Sequence, residues 1–196
     1  MQIVLPGITG SGELWLDIMK IICGTEHDHP FSSMCDLMCH KAPYTPRLGF
    51  AYRTYVDIQD RELEYEWQRP YFKNMDVFDF LRNSCNIKYD VMICSDGIEH
   101  LYFDKGTELL SLMEEHSNKQ IIFTPLGPYM LSEDDNPDSH RSGWFPEMLP
   151  GYLSIVLPDF HPTLEVGAFF AVNCSYQEKQ RIIYQINNKY VENRIN

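Results

Sequence analysis

Acidic and hydroxyl side chains recur in this chain where apolar runs end. Asp36 lies near the end of the first such run and Asp57 near the end of the second, Asp76 follows a third, and Ser95 with Asp96 closes a fourth. A carboxylate at a strand end can accept two hydrogen bonds from the hydroxyls of a ribose. Taken singly, each Asp is more simply explained as a helix cap or a turn residue. The joint pattern is what indicates a nucleotide site.

Two histidines and one acid are candidate general bases, which could take a proton from an oxygen or nitrogen nucleophile. His100 and Asp96 follow the fourth run, and His140 lies in a polar segment further along. His100 could instead pack or cap a turn. Arg141 could clamp an acidic substrate or form a surface ion pair. Trp144 could stack on a ligand, although a core aromatic is the simpler interpretation.

Alternating segments of helical and strand periodicity must position these residues. Helices are predicted over 12–23, 77–85, 104–116 and 177–191, with strands over 33–38, 54–58, 71–75, 89–95, 120–124, 152–157 and 166–172. Alternation of this kind implies βαβ units and a parallel sheet with all strand ends on one edge. The last two strands, joined by a proline-containing loop, predict an antiparallel pair. The sequence therefore predicts an α/β fold with a mostly parallel sheet.

A long polar segment, residues 127–143, follows the strand over 120–124. Polar stretches of this length inside a compact domain usually serve a function or are disordered. Because ligands of open α/β sheets bind beyond the carboxyl ends of the strands, this segment is predicted to cover a bound ligand.

Several segments resemble, in order, the motifs of class I S-adenosylmethionine-dependent methyltransferases. They are residues 34–45 (first motif), 54–58 (second strand), 74–81 (adenine side), 89–101 (fourth strand, the most specific match), 121–127 (fifth strand) and 140–147 (start of a helix before the final hairpin). The resemblance spans about residues 11–175. It implies one Rossmann-like, doubly wound, seven-stranded domain over 1–196, with a C-terminal antiparallel strand pair. Within it lie an N-terminal helix (11–24), a cofactor-binding core (31–126), a substrate loop (127–145) and a final helix and hairpin (146–175).

The resemblance also implies S-adenosylmethionine as the cofactor and a small molecule or sugar-type acceptor. It places the cofactor against Asp36, Met38, His40, Asp57, Ile58, Asp76, Val77 and Ser95, with Asp57 on the ribose and Asp76 beside the adenine. Catalysis is assigned to His140, His100 or Asp96, and substrate contact to Arg141 and Trp144.

The first motif departs from the family, because Met38, His40 and Ala42 stand where glycines are expected. Glycines let the backbone approach the cofactor closely, so side chains there could reshape the pocket or abolish binding. One alternative is therefore a catalytically inactive, methyltransferase-like binding or scaffold protein. Another is a dehydrogenase or other nucleotide binder, which the lack of Gly-x-Gly-x-x-Gly disfavours.

Composition limits the remaining classes. A net charge of −12 without a basic run argues against a protein that coats nucleic acid. No apolar stretch predicts a membrane span or a secretory signal, and the 6 scattered cysteines suggest free thiols in the cytoplasm. The hairpin edge could pair with a second copy, giving a homodimer. Residues 26–29 and the Cys35, Cys39, His40 group lack the spacing of a closed zinc site, so no metal is predicted.

Overall fold

The described part of this computed structural model comprises residues 1–24, 33–60, 62–84, 87–132, 136–161 and 163–192. Its strands and α-helices, in chain order, are β1 (Gln2–Val4), α1 (Gly12–Cys23), β2 (Ser33–Leu37), β3 (Tyr52–Asp57), β4 (Phe72–Asn74), α2 (Val77–Asn83), β5 (Tyr89–Ser95), α3 (Phe103–His116), β6 (Ser117–Pro125), β7 (Leu153–His161), β8 (Val166–Asn173) and α4 (Tyr176–Ile186). Short 3-10 turns lie at Thr45–Leu48, Glu66–Tyr71, Ile98–His100 and Pro146–Met148, and a π-helical turn at Asn187–Val191.

All eight strands form one sheet in the order β1-β7-β8-β6-β5-β2-β3-β4. Every neighbouring pair is parallel except the two that β8 makes with β6 and β7. The predicted α/β fold, with a mostly parallel sheet and a C-terminal antiparallel pair, is confirmed. From β2 the chain moves outward to β3 and β4, then returns to the other side of β2 as β5. The crevice between β2 and β5 is thus the switch point at which doubly wound sheets bind ligands.

The structure differs from the seven-strand prediction by one additional strand, β1. It has only three residues, too few for a recognisable alternation, and pairs in parallel with β7 through Gln2 and Ser154. It also covers part of the hairpin edge on which pairing with a second copy was predicted. The helix expected to begin at 146 is only the 3-10 turn Pro146–Met148. Between β2 and β3 the only helical element is likewise a 3-10 turn, Thr45–Leu48.

Two apolar cores, one on each face of the sheet, hold the helices in place. Residues alternate along β2, so Met34 belongs to the core beneath α1 and α4, whereas Cys35 belongs to the core beneath α2 and α3. Ile18, Met19 and Ile22 of α1 are fully buried, and each contributes roughly 1.5–3 kcal/mol of burial free energy. Helices on both faces confirm the doubly wound arrangement.

Polar side chains fix where the helices begin and end. Ser11 caps α1 by accepting a hydrogen bond from the Leu14 N–H, and Asp76 caps α2 by accepting from the N–H groups of Phe78 and Asp79. At the other end of α1, the guanidinium of Arg181 donates to the carbonyls of Ile21 and Ile22, satisfying oxygens that a helix end leaves unpaired.

The cysteines in the described ranges are free thiols, and Cys23, Cys35, Cys39 and Cys94 are buried. Residues 26–29, considered above as a metal motif, lie outside the described residues. Within the described chain, no helix combines the length and the apolar character required to cross a bilayer.

Candidate functional site

The turn after β2 has an unusual backbone. Met38, His40 and Ala42 have φ angles of 55°, 48° and 43°, in the left-handed region that favours glycine. An L side chain in this region costs roughly 1–2 kcal/mol. These are the same three positions at which the family resemblance led us to expect glycine. The chain therefore keeps a glycine-type turn while carrying side chains on it.

Asp57, the last residue of β3, ties this turn to the neighbouring strand. Its Oδ2 accepts a hydrogen bond from the His40 N–H at 2.9 Å, and its Oδ1 accepts one from the Gln59 N–H at 2.8 Å. Each carboxylate oxygen has two acceptor sites, so neither backbone bond uses up the capacity of its oxygen. Asp57 also lines a cavity of about 210 Å³. It is therefore both an anchor for the turn and an available acceptor.

The smaller cavity lies over the carboxyl ends of β3 and β4. Its wall includes Met38, Ile58, Asp76, Val77 and Leu101 in addition to Asp57. Asp76 Oδ1 accepts from the N–H groups of Phe78 and Asp79, so the cap interpretation of this residue is correct. The cap does not remove Asp76 from the cavity wall, because the same side chain also lines the space.

A larger cavity of about 610 Å³ lies beside the smaller one. The two share wall residues, which are His40, Asp96, His100 and Asp138. On its polar side the larger cavity is lined by Asp36 and Ser95, and on its other side by the aromatic group Trp15, Tyr44, Phe123, Phe160 and His161. Together the two spaces run across the switch point of the sheet.

Asp36 is a buried acid in the wall of the larger cavity. Its Oδ2 accepts a hydrogen bond from the Thr45 hydroxyl at 2.6 Å. Burial raises the pKa of Asp36 to about 7; the Thr45 bond opposes this rise, and the negative charge of Asp57 adds to it. A cation entering the larger cavity would favour the ionised form of this carboxyl group.

The turn after β5 brings three titratable groups together. Asp96 has a φ of 49°, and its side chain reaches water at the cavity wall although protein surrounds it on most sides. That enclosure raises the pKa of Asp96. Glu99 is buried, and its Oε2 accepts a hydrogen bond from the Thr124 hydroxyl at 3.0 Å. Burial, with the charge of Asp96 as a second cause, raises the pKa of Glu99 to about 8, while burial lowers the pKa of His100.

His140 packs against His100 in an edge-to-face arrangement. The two ring centroids are 5.0 Å apart, and His140 Nδ1 lies 2.8 Å from the Tyr129 carbonyl oxygen. His140 lines neither of the two cavities described above.

Arg141 and Trp144, predicted as substrate contacts, point elsewhere. The Arg141 guanidinium lies over the Tyr102 ring, 5.4 Å from its centroid, and donates to the Asn136 carbonyl. Trp144 is 1% exposed and its indole N–H donates to the Ser142 hydroxyl. Its ring stacks on Phe103, with centroids 4.9 Å apart. Trp144 is thus a core residue in this structure, and neither residue lines either of the two adjoining cavities.

The structure brings most of the predicted site residues to the two adjoining cavities. They are Asp36, Met38, His40, Asp57, Ile58, Asp76, Val77, Ser95, Asp96 and His100. The aromatic side of the larger cavity was not foreseen. Trp15 lies within the helix predicted over 12–23, and Phe160 and His161 lie beyond the predicted end of their strand.

Comparison with known proteins supports the fold. No family model and no curated protein sequence matches the chain. Among solved structures, magnesium protoporphyrin IX methyltransferase from Synechocystis PCC 6803 with bound SAM is 17% identical with a TM-score of 0.54, over 83% of this chain and 80% of that one. A SAM-dependent methyltransferase from Archaeoglobus fulgidus is 14% identical, with a TM-score of 0.54 over 84% and 95% of the two chains.

A third similar structure is the 1,6-didemethyltoxoflavin-N1-methyltransferase of Burkholderia thailandensis with bound 1,6-didemethyltoxoflavin and S-adenosylhomocysteine. It is 11% identical, with a TM-score of 0.53 over 83% of this chain and 82% of that one. At such low identities the likeness concerns the fold alone. The chain has the Rossmann-like fold of the class I S-adenosylmethionine-dependent methyltransferases.

Proposed function

We propose that this protein is an S-adenosylmethionine-dependent methyltransferase whose acceptor is a small molecule or sugar-type compound. The observation that carries the proposal is the turn after β2. Every second residue of this turn, Met38, His40 and Ala42, has a left-handed backbone although none is glycine. Asp57 holds the turn in place by accepting a hydrogen bond from the His40 N–H. A chain under no constraint there would relax into ordinary backbone conformations and avoid a cost of roughly 1–2 kcal/mol per residue.

The smaller cavity fits the nucleoside part of the cofactor. Asp57 has acceptor capacity left for the ribose hydroxyls, and Ile58 provides an apolar wall beside it. Asp76 and Val77 line the part of the cavity assigned to the adenine ring. Asp76 uses its Oδ1 in capping α2, which orients the carboxyl group at the cavity wall.

The junction of the two cavities fits the methionine part of S-adenosylmethionine. When bound, the cofactor supplies a methyl group on a positively charged sulfur. Asp36 lies in the wall of the larger cavity, and a nearby positive charge would lower its raised pKa and bind its ionised form. His40, Asp96 and His100 stand between the two spaces and would enclose the reacting centre on the sheet side.

The larger cavity fits the acceptor. Its aromatic side, with Trp15, Tyr44 and Phe160, suits a flat or sugar-like ring, while Asp96 could take a proton from an oxygen or nitrogen nucleophile. Two of the similar structures are named for small-molecule acceptors, magnesium protoporphyrin IX and 1,6-didemethyltoxoflavin. Residues 127–145 would cover the acceptor, and Asp138 of this segment already lines both cavities.

A second candidate function has a specific observation in its favour. Met38 and His40 carry side chains in the region where a glycine turn would leave room for the cofactor, and both line the smaller cavity. If those side chains fill the space that the cofactor needs, the protein is a methyltransferase-shaped binding or scaffold module.

Ligand-induced thermal stabilisation separates these functions. S-adenosylhomocysteine at a hundred times its dissociation constant should stabilise the folded protein by about 2.7 kcal/mol and raise the melting temperature. NAD at the same concentration should not. A shift with NAD alone would support the dinucleotide-binding alternative. No shift with either ligand, for a protein with a cooperative melting transition, would contradict the enzyme proposal and support the scaffold.

A further inference from the structure

A cluster of one carboxylate and two imidazoles adjoins the two cavities through His100. Glu99, His100 and His140 each offer one ligand atom, and the three atoms lie within 4.8 Å of one another. Glu99 and His100 belong to the 3-10 turn after β5, and His140 belongs to the loop after β6. The fold thus assembles, from two separate loops, a group of donors that no local sequence spacing displays.

Backbone carbonyls orient both imidazoles. His140 Nδ1 lies 2.8 Å from the Tyr129 oxygen, and His100 Nδ1 lies 3.3 Å from the Ser139 oxygen. A carbonyl oxygen can only accept, so Nδ1 donates in each of these contacts, and Nε2 is the ring nitrogen that could coordinate an ion. Histidines that bind metals are oriented in the same way, by a second hydrogen bond from the nitrogen that does not coordinate.

The third donor is held just as firmly. Glu99 is 2% exposed, and its carboxylate accepts a hydrogen bond from Thr124. The Glu99 carbonyl accepts from the N–H groups of Arg141 and Ser142, which fixes the turn after β5 to the chain immediately following His140. In the described chain, no Lys or Arg side chain forms an ion pair with Glu99. A buried carboxylate without a cation is costly, and a bound metal ion would remove that cost.

We propose that Glu99, His100 and His140 form a binding site for a divalent transition-metal ion. Two nitrogen donors and one carboxylate suit zinc, manganese, iron or cobalt better than calcium or magnesium, which prefer oxygen ligands. Three protein ligands also leave coordination positions open, as in catalytic rather than structural metal sites. Asp96, three residues before Glu99, is the nearest further carboxylate along the chain.

The open positions identify the class of ligand that the ion would take. His100 lines both cavities, so an ion bound to it would lie at the edge of the acceptor space. An acceptor with a hydroxyl or carboxylate oxygen could complete the coordination. This assignment of an oxygen-bearing acceptor rests on the function proposed above, whereas the metal site itself does not.

Titration of the chelator-treated protein with cobalt(II) chloride alone tests the site, because cobalt in a nitrogen and oxygen environment absorbs visible light. We expect one equivalent to bind, and zinc to displace it. His140→Ala and Glu99→Gln should each weaken cobalt binding about ten-fold or more. Glu99→Gln keeps an acceptor for the Thr124 hydroxyl, and circular dichroism checks that each variant is folded. If His140→Ala fails to fold, His140→Gln replaces it.

Two control variants locate the binding. His161→Ala removes an imidazole from the same larger cavity but outside the cluster, and should leave cobalt affinity unchanged. The double variant His27→Ala/His29→Ala removes the histidines of the other candidate segment and should also bind normally. Absence of cobalt absorption in the wild type, unchanged affinity in His140→Ala and Glu99→Gln, or loss only in the double variant would each overturn the proposal.

Titration with S-adenosylhomocysteine keeps the two proposals distinguishable. Cobalt binding without S-adenosylhomocysteine binding would leave the metal site standing and contradict the methyltransferase proposal. Binding of S-adenosylhomocysteine without cobalt binding would contradict the metal site and leave the methyltransferase proposal standing.

Discussion

The carboxylate of Asp57 accepts a hydrogen bond from the backbone N–H of His40 at 2.9 Å, linking the end of β3 to the left-handed turn after β2. The strand end and the turn, both of which a cofactor would contact, are therefore held together by this hydrogen bond. A substitution of Asp57 must affect both the turn and any ligand bound against it.

Asp57→Asn should weaken binding of S-adenosylhomocysteine about 10–100-fold. A hydrogen bond to a charged group contributes about 1.5–3 kcal/mol, and the amide replaces one carboxylate oxygen by a donor that cannot accept from the ribose. The free energy of unfolding should also fall by about 1–2 kcal/mol, because one backbone N–H loses its acceptor. Calorimetric titration measures the affinity and urea denaturation measures the stability.

Asp104→Asn is the matched control for this change. Asp104 is an exposed acid in the first turn of α3 and lines neither cavity. The affinity of this variant should equal that of the wild type. Equal affinities for Asp57→Asn and the wild type would exclude Asp57 as a ribose ligand.

His40→Gly should increase stability and tighten cofactor binding. Glycine removes the cost of a left-handed φ at this position, roughly 1–2 kcal/mol. Its greater conformational freedom in the unfolded chain offsets about 0.5–1 kcal/mol of that gain. The net gain is then about 0.5–1 kcal/mol. It also removes an imidazole from the wall between the two cavities, so S-adenosylhomocysteine should bind several-fold more tightly, as measured by calorimetry.

Met130→Gly provides the control, because Met130 also has a left-handed φ, of 47°, but is exposed and lines neither cavity. It should give a similar gain in stability and no change in affinity. Weaker binding by His40→Gly would mean that the imidazole contacts the ligand rather than obstructs it.

Asp36→Asn should change how stability depends on pH. Burial raises the pKa of Asp36 to about 7, whereas Asp in an unfolded chain titrates near 3.9. The folded protein thus binds this proton more tightly than the unfolded chain does. Stability therefore falls as pH rises from about 4 to 7, by up to about 1.4 kcal/mol per pH unit, and the loss is complete above pH 7.

Asparagine carries no charge at any pH and can still accept the Thr45 hydrogen bond. The stability of Asp36→Asn relative to the wild type should therefore increase by about 2–3 kcal/mol between pH 5 and pH 8. Urea denaturation at several pH values measures this difference. A difference that stays constant across the range would show that Asp36 does not titrate in this window.

Gly106→Ala should destabilise the protein although alanine is the better helix former. A Cβ at this position of α3 would lie 2.5 Å from Cζ2 of the buried Trp144 ring. Forced repacking of this kind costs about 1–3 kcal/mol, which exceeds the helix-propensity gain of about 1 kcal/mol. Ser111→Ala, on the exposed side of the same helix, should change the free energy of unfolding by less than about 0.5 kcal/mol. Greater stability for Gly106→Ala than for the wild type would contradict the tight packing of α3 on Trp144.

The sheet was predictable because its central strands are long, apolar and separated by amphipathic helices. β5 has the predicted bounds, and Ser11 and Asp76 cap the predicted helices. β1 was missed because a strand of three residues is too short to show an alternating pattern of apolar and polar residues. Its pairing with β7 also joins residues more than 150 positions apart in the sequence, such as Gln2 and Ser154.

The polar half of the site was predictable for a different reason. Parallel strands end on one edge, so acids at strand ends such as Asp57 and Asp76 must converge. The loop after β6 follows no such rule. Its path is set by tertiary bonds, in which the Glu99 carbonyl accepts from the Arg141 and Ser142 N–H groups. Those bonds direct Arg141 toward Tyr102 and away from the cavities.

The absence of a metal was predicted from two local segments only, residues 26–29 and the group at Cys35 and Cys39. The cluster that we propose instead joins Glu99 and His100 to a histidine forty residues further along the chain. Sequence spacing cannot display such a group, because its geometry arises only when two loops are packed together.

Isothermal titration calorimetry of the purified protein with S-adenosylmethionine and S-adenosylhomocysteine tests the central claim most directly. We predict one binding site per chain with micromolar affinity for both ligands, and weaker binding by Asp57→Asn. No heat of binding for either ligand, from a protein that melts cooperatively, would contradict the account and leave a methyltransferase fold that serves another purpose.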